Sequence, residues 1–342
     1  VSVLILKTQK LNIKKIAELA GVSKATVSRV LNNYSYISDE LREKVLKVIA
    51  ETGYERNQIA RMLASNRSNM IGLVIPTGAK FVFSDPYFPK LTEGISRAAN
   101  QYQLILSLFL FDSHQNGIQT VRNIITNGLF DGLLITGDRI DDQILPLLIN
   151  SEMPYVLMGR SIQYVDNINY IDVDNYQGGQ IATEYLIERG YKRIGIVTCS
   201  YNIAAVDRFN GYKQALTDHG ISFDPELVAY GDFSMESGGE GIKALIARQP
   251  DAVFVVSDTM ALGALRVLRE HNIRVPEDMA IVGFDDLPPA VQADPQLTTV
   301  RQPTTEQGRL AVETLLDLLE SPGRPARQIV LPTELVVRAS TI

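Results

Sequence analysis

The stretch IKKIAELAGVSKATVSRVLNN, residues 13–33, allows few backbone arrangements. Ile16, Ala17 and Ala20 recur at helical spacing and give a short first helix one apolar face. Gly21-Val22-Ser23 interrupts that period. Glycine tolerates the left-handed conformation that ends a helix, and a serine hydroxyl can cap the next one. A second helix is expected from Lys24 to about Asn32, with Val27, Val30 and Leu31 facing inward and Ala25, Ser28, Arg29 and Asn32 outward. Two short helices around a glycine-containing turn, the second carrying small, polar and basic residues, form a helix-turn-helix whose second helix fits a DNA major groove. A helical hairpin with a solvated polar face satisfies the bare pattern equally well.

The charge distribution bears on that choice. The 342-residue chain carries a formal net charge of −6, yet residues 1–67 hold twelve Lys/Arg against six Asp/Glu and the remainder 21 against 33. A basic head on an acidic body confines phosphate attraction to one end, as a DNA-reading module requires. A third helix is expected after Ser38, a candidate N-cap with acidic residues in the first turn, and Gly53 ends it. A further short helix, capped by Asn57, is expected to follow.

From Met70 the texture changes. Apolar, β-rich runs at 71–75, 104–109, 132–135, 155–157, 194–197, 252–256 and 280–283 alternate with amphipathic helical stretches such as 91–101, 177–189 and 260–271. This alternation predicts parallel sheets covered on both faces, and the length predicts two lobes. At 45% apolar and 21% charged residues, the composition is that of an ordinary globular protein. The longest apolar run, 104–111, is too short to span a bilayer. Residues 1–6 have the wrong shape for a secretory signal; residues 1–9 read as an alternative start or an over-extended frame and are assigned no function. Cys199 is the sole cysteine, which excludes an intrachain disulfide, and His114, His219 and His271 lack zinc-ligand spacing. No cofactor or metal is expected, and the cytoplasm is the simplest location.

GVSKATVSRVLNN closely resembles the DNA-binding headpiece of the LacI/GalR family of bacterial transcription regulators, and later segments extend the resemblance over nearly the whole chain. It implies an all-α helix-turn-helix headpiece (residues 10–56), a hinge helix and linker (57–69), and a two-lobed α/β body of the periplasmic-binding-protein-like type I fold (70–342). Lobe one is expected at about 70–168 and 299–327, lobe two at 169–298 and 328–342. DNA contact is implied for Ser23, Lys24, Ala25, Thr26, Ser28, Arg29, Asn32, Tyr54, Asn57 and Leu63. Leu63 matches the family's minor-groove wedge, and Arg56 stands where the family usually has a proline.

Four body segments resemble the family where the cleft lies, at the carboxyl ends of the strands. Asp85-Pro86-Tyr87-Phe88 offers rings that can stack on a sugar or base. Asp207-Arg208-Phe209-Asn210-Gly211-Tyr212 matches the motif whose arginine reaches the effector. Phe233 and Asp285 complete the set. Arg160 resembles the maltose-type regulators at its position, and Asp258 is expected to cap the following helix and touch the ligand. Asn202 replaces the arginine of purine-responsive relatives and Ala204 lacks a hydroxyl, so a sugar is expected over a purine. The ligand-binding set is therefore Tyr87, Phe88, Arg160, Arg208, Phe233, Asp258 and Asp285. The resemblance implies a homodimeric, ligand-controlled repressor binding a double-stranded operator, with no membrane partner. A sugar-binding protein without regulatory role is the alternative. An enzyme is not expected, since the nucleotide-loop and nucleophile-elbow motifs are absent and Asp285 and Asp286, adjacent in sequence, would point apart.

Overall fold

The computed structural model describes residues 11–31, 34, 36–54, 67–111, 114–137, 143–164 and 168–342. Asn32, the hinge residues Asn57 and Leu63, and residues 1–9 lie outside the described residues. The chain divides into two units at Asn69/Met70.

The first unit holds α1 (Ile13–Ala20), α2 (Lys24–Leu31) and α3 (Asp39–Thr52). Asn12 caps α1 by accepting from the Lys15 amide, and Gly21 ends it at φ 64°. Ser23 caps α2 as the sequence suggests, its Oγ accepting from the Thr26 amide at 3.1 Å. Ser38 precedes α3 in extended conformation, but its side chain makes no cap bond. Ile16, Ala17, Val27, Val30 and Val45 bury themselves together, and Tyr54 closes this small core.

The second unit is two six-stranded sheets. The first half of the chain gives β1 (Met70–Ile75), α4 (Ala79–Ser84), α5 (Tyr87–Gln101), β2 (Ile105–Leu110), α6 (His114–Asn127), β3 (Gly132–Thr136), α7 (Leu145–Ile149), β4 (Tyr155–Met158) and β5 (Tyr170–Val173). The second half gives α8 (Asn175–Glu188), β6 (Ile194–Thr198), α9 (Ile203–Asp218), β7 (Val228–Tyr230), α10 (Met235–Ile246), β8 (Ala252–Val255), α11 (Asp258–Glu270), β9 (Ala280–Asp285), α12 (Pro288–Gln292) and β10 (Thr298–Arg301). α13 (Thr304–Glu320), β11 (Gln328–Leu331) and β12 (Glu334–Val336) complete it.

One sheet runs β11-β5-β4-β3-β1-β2 and the other β12-β10-β9-β8-β6-β7. All pairs are parallel except β10 with β12. Near-continuous burial of β1, β3, β6, β8 and β9 reflects sheets covered on both faces.

The pairing corrects the expected lobe boundaries. β5 pairs with β4, so the first crossing falls after Val173 rather than at 168. β10 pairs with β9 and stays in the second lobe, moving the next crossing past Arg301. β11 returns to β5, so the final crossing lies between Leu331 and Glu334 rather than at 327. Each shift has the same cause: a short strand completes the sheet it left before the chain changes lobes. The crossings thus lie at strand ends, beside the cleft.

Candidate functional site

On the headpiece, Lys24, Ala25 and Arg29 are exposed, Thr26 and Ser28 half-buried, and Ser23 is exposed but engaged as the cap. The Arg29 guanidinium lies 5.8 Å from the centre of the Tyr36 ring, which itself is 5.4 Å from the Tyr34 ring. Arg42 donates to the Tyr34 carbonyl at 2.8 Å and ties this corner to α3. The outward face of α2 thus carries a lysine, an arginine and small residues, which suits a major groove. Tyr54 departs from expectation. Only 8% of it is exposed, so its ring belongs to the headpiece core and is not presented to a groove.

In the body, a cavity of about 280 Å³ opens between the two sheets. Its walls come from the carboxyl ends of β1, β3, β4, β5 and β9, from the helix starts that follow strands, and from the 302–307 crossing. This is where open α/β sheets bind ligands, because the chain splays at strand ends and leaves space between helix N-termini.

The α9 arginine is placed by its own motif. Tyr212 is fully buried and donates its hydroxyl to the Ile194 carbonyl at 2.7 Å, anchoring α9 to the edge of β6. A Cβ on Gly211 would strike the Tyr176 carbonyl, and one on Gly179 the Arg208 carbonyl, so both glycines let α8 and α9 touch along their backbones. That contact brings Asn175 beside Arg208, whose Nε donates to Asn175 Oδ1 at 2.9 Å. Nη1 donates to the Val256 carbonyl at 2.6 Å and lies 3.7 Å from Asp285 Oδ1. The guanidinium stacks 3.5 Å over the Phe284 ring. Arg208 is therefore a fixed, almost fully buried donor at the cavity wall.

Asp285 ends β9 at φ 123° and Asp286 follows at φ 57°, both rare for a side-chain-bearing residue. The turn is held from both sides. Gln302 Nε2 donates to Asp285, whereas Asp286 accepts from Arg301 Nε at 2.6 Å and from Arg338 Nη2 at 2.5 Å. The adjacent carboxylates do point apart: one lines the cavity, the other ties β10 to the C-terminal segment. Burial pushes Asp285 well above the usual carboxylate range, helped by Asp85 and opposed by Arg208. Asp85 and Asp172, also at the cavity, are raised chiefly by burial, Asp172 to about 6.

Aromatic rings complete the walls. Tyr87 and Phe88 meet edge to face at 5.3 Å, with Phe81 edge-on to Phe88 at 6.0 Å. Tyr87 donates its hydroxyl to Gln307 Oε1 at 3.3 Å. Phe233 enters from the other lobe at φ 70°.

Of the seven residues expected at the ligand, Tyr87, Phe88, Arg208, Phe233 and Asp285 line the cavity. Arg160 does not; Gly159 stands there instead, and the Arg160 side chain pairs with Asp207. Asp258 does not either. It is wholly buried, accepting from Thr299 Oγ1 at 2.6 Å and the Leu287 amide at 3.0 Å, and the cap of α11 is Ser257. Sequence reasoning missed Asn175, Gln302 and Gln307 as cavity residues. The usable signal was topological, because segments that cross between lobes must pass the cleft. Asn202 and Ala204 line the cavity, Asn202 also capping α9 through the Ala205 amide at 2.9 Å.

A helix-turn-helix head and a two-lobed α/β body with a polar, ring-lined cavity define a ligand-controlled DNA-binding regulator. Comparison with known proteins agrees. Residues 12–57 match the family described as bacterial regulatory proteins, lacI family, and residues 183–341 match the periplasmic binding protein-like domain. The HTH-type transcriptional regulator CelR of Thermobifida fusca is 37% identical over 336 residues, covering 96% of this chain and 97% of its own. The ribose operon repressor of Haemophilus influenzae is 35% identical, covering 96% and 97%. Among solved structures, a CelR–cellobiose complex superposes with a TM-score of 0.77 at 35% identity, covering 97% of this chain and 100% of that one. The lac repressor dimer bound to operator and the anti-inducer ONPF gives 0.85 at 28% identity, covering 98% and 100%. The chain belongs to the lacI family of bacterial transcriptional regulators.

Proposed function

We propose that this regulator is a cytoplasmic, homodimeric repressor whose operator affinity is set by a sugar bound between its lobes. The observation that carries the reading is the cavity itself. Carboxylate and amide oxygens from both lobes accept hydrogen bonds from hydroxyls, Arg208 donates to them, and Tyr87, Phe88 and Phe233 offer faces to a ring. Relatives support it: one solved neighbour is a complex with cellobiose, and another is a dimer on its operator.

A ligand that touches both lobes favours one relative placement of them, and only such differential contact can change an equilibrium. The coupling is reciprocal, so a sugar that weakens operator binding is itself bound more weakly by the operator complex. Two headpieces in a dimer read a near-palindromic operator. In the hinge, Leu63 is assigned the minor-groove wedge.

The test is a thermal-shift screen of mono- and disaccharides and nucleobases, followed by operator titration with each hit. A sugar that raises the melting temperature, changes operator affinity and is recovered chemically unaltered is the expected result. Turnover of that sugar would make the protein an enzyme, and a nucleobase hit would replace the sugar.

A further inference from the structure

We propose that the cleft selects neutral, unphosphorylated sugars and rejects their phosphate esters through its fixed charge. This rests on the carbohydrate reading above and narrows it.

Four carboxylates, Asp85, Asp172, Asp232 and Asp285, line the cavity among the described residues, and Arg208 is its one cation, with no lysine or histidine. The charge of Arg208 is already shared with the protein: Asn175, the Val256 carbonyl and Asp285 lie around its guanidinium, with the Phe284 ring beneath, so it offers a ligand a hydrogen bond and not an unpaired charge. Arg160, beyond the wall, is held by both oxygens of Asp207 and lies 3.9 Å from Asp172. Each arginine therefore meets a carboxylate of its own, and a negative surplus remains.

Phosphate is otherwise held by backbone N–H groups at helix starts. Of the helices that begin at this cavity, α5, α8, α9 and α10 each turn such a donor to a side chain of their own, whereas α4, only six residues long, and α13 have no side-chain cap. The Tyr87 amide donates to Asp85 Oδ1 at 3.1 Å, the Ala205 amide to Asn202 Oδ1 at 2.9 Å, and the Ser237 amide to Ser234 Oγ at 3.1 Å. A phosphate dianion entering here gives up its water and meets carboxylates at short range in a medium that screens poorly. Neutral hydroxyls donate to those same oxygens without that opposition. Burial raises the proton affinities of Asp85 and Asp172, and the dehydration that disfavours those anions disfavours an entering phosphate as well.

Calorimetric titration of the full chain at pH 8, where the ester is a dianion, tests this. The probes are ribose, glucose, galactose, maltose and cellobiose, each beside its terminal phosphate ester. Every sugar that binds should bind at least tenfold more tightly than its ester. Asp232→Asn and Asp172→Asn should each narrow that ratio severalfold, an effect that a purely steric exclusion would not show. Asp232 is at the exposed mouth, and its cap bond to the Ser234 amide survives in the asparagine, so folding is kept. An ester that binds as tightly as its sugar, or a ratio unmoved by both substitutions, overturns the charge filter while leaving the carbohydrate reading intact. Binding by none of the probes, neutral or phosphorylated, overturns both.

Discussion

Arg160, at the end of β4, grips Asp207, on α9, across the two lobes: Nε donates to Oδ2 at 3.0 Å, and Nη2 to Oδ1 at 2.5 Å. The two residues belong to different lobes and lie 47 positions apart, so the bond reports lobe placement rather than local structure. A fork of this kind is directional as well as charged, which makes it a candidate for holding one arrangement of the lobes.

Asp207→Asn should therefore weaken the preference for the arrangement described here. Arg160 is partly solvated, so the expected coupling in a double-mutant cycle with Arg160→Ala is modest, roughly 1 kcal/mol. The cycle is read by thermal unfolding of the ligand-free protein and by the sugar concentration that half-shifts operator affinity. Additive single and double variants in both assays would leave the pair without a role in lobe placement.

Arg208→Ala should abolish the ligand response, but the burial of the pair adds a structural cost. Removing the guanidinium strands Asp285 in a buried site, a change that typically costs about 3–5 kcal/mol. The double variant Arg208→Met with Asp285→Asn should melt at a higher temperature than Arg208→Ala, because no unpaired charge remains. The salt dependence of operator binding, which counts phosphate contacts, should match the parent in both. A reduced salt slope would assign Arg208 to DNA.

The legible parts of this protein were those whose signal is local. The turn Gly21-Val22-Ser23 specifies a helix end and a cap within three residues. The R-x-x-G-Y run of α9 and the aspartates at the end of β9 stand out as short motifs, although the partners that fix them lie far along the chain. Illegible were the choices made by distant partners. Nothing near Arg160 says that Asp207 will meet it, and nothing near Asp85 says that its Oδ1 will accept from Thr259, 174 positions on. Asp258 reads as a cap beside a strand end, yet Thr299 and the Leu287 amide draw it inward. The short strands β5 and β11 escaped because four residues with polar interruptions show no period, and the lobe boundaries moved with them.

Acidity provides a third expectation. Burial pushes the Asp172 carboxyl up to about 6 in the folded body, against an ordinary value of 3.8. The folded state therefore holds the proton more tightly than the unfolded chain, so this contribution to stability is full below about 4 and is lost as pH rises through about 6. Asp85 and Asp285 are raised as well and add in the same sense. Unfolding titrations of wild type and Asp172→Asn between pH 4 and 8 should show a smaller decline for the variant. Equal declines would mean that Asp172 is ionised at little cost.

The last expectation concerns base reading by α2. Arg29 is exposed on the outward face, in the last turn of the helix, with its guanidinium near the Tyr36 ring. The ring limits where the guanidinium can go without supplying a hydrogen-bond acceptor, so its donors stay available to the O6 and N7 atoms of a guanine. One such bidentate contact discriminates by about 1–3 kcal/mol, so Arg29→Ala should relax preference at one position in each operator half-site. Tyr36→Ala should have a smaller effect of the same kind, because it frees the guanidinium without removing it. Binding measured against a set of operators randomised one position at a time separates the outcomes. If Arg29→Ala weakens all sequences equally and lowers the salt slope by about one, the residue contacts phosphate and reads no base.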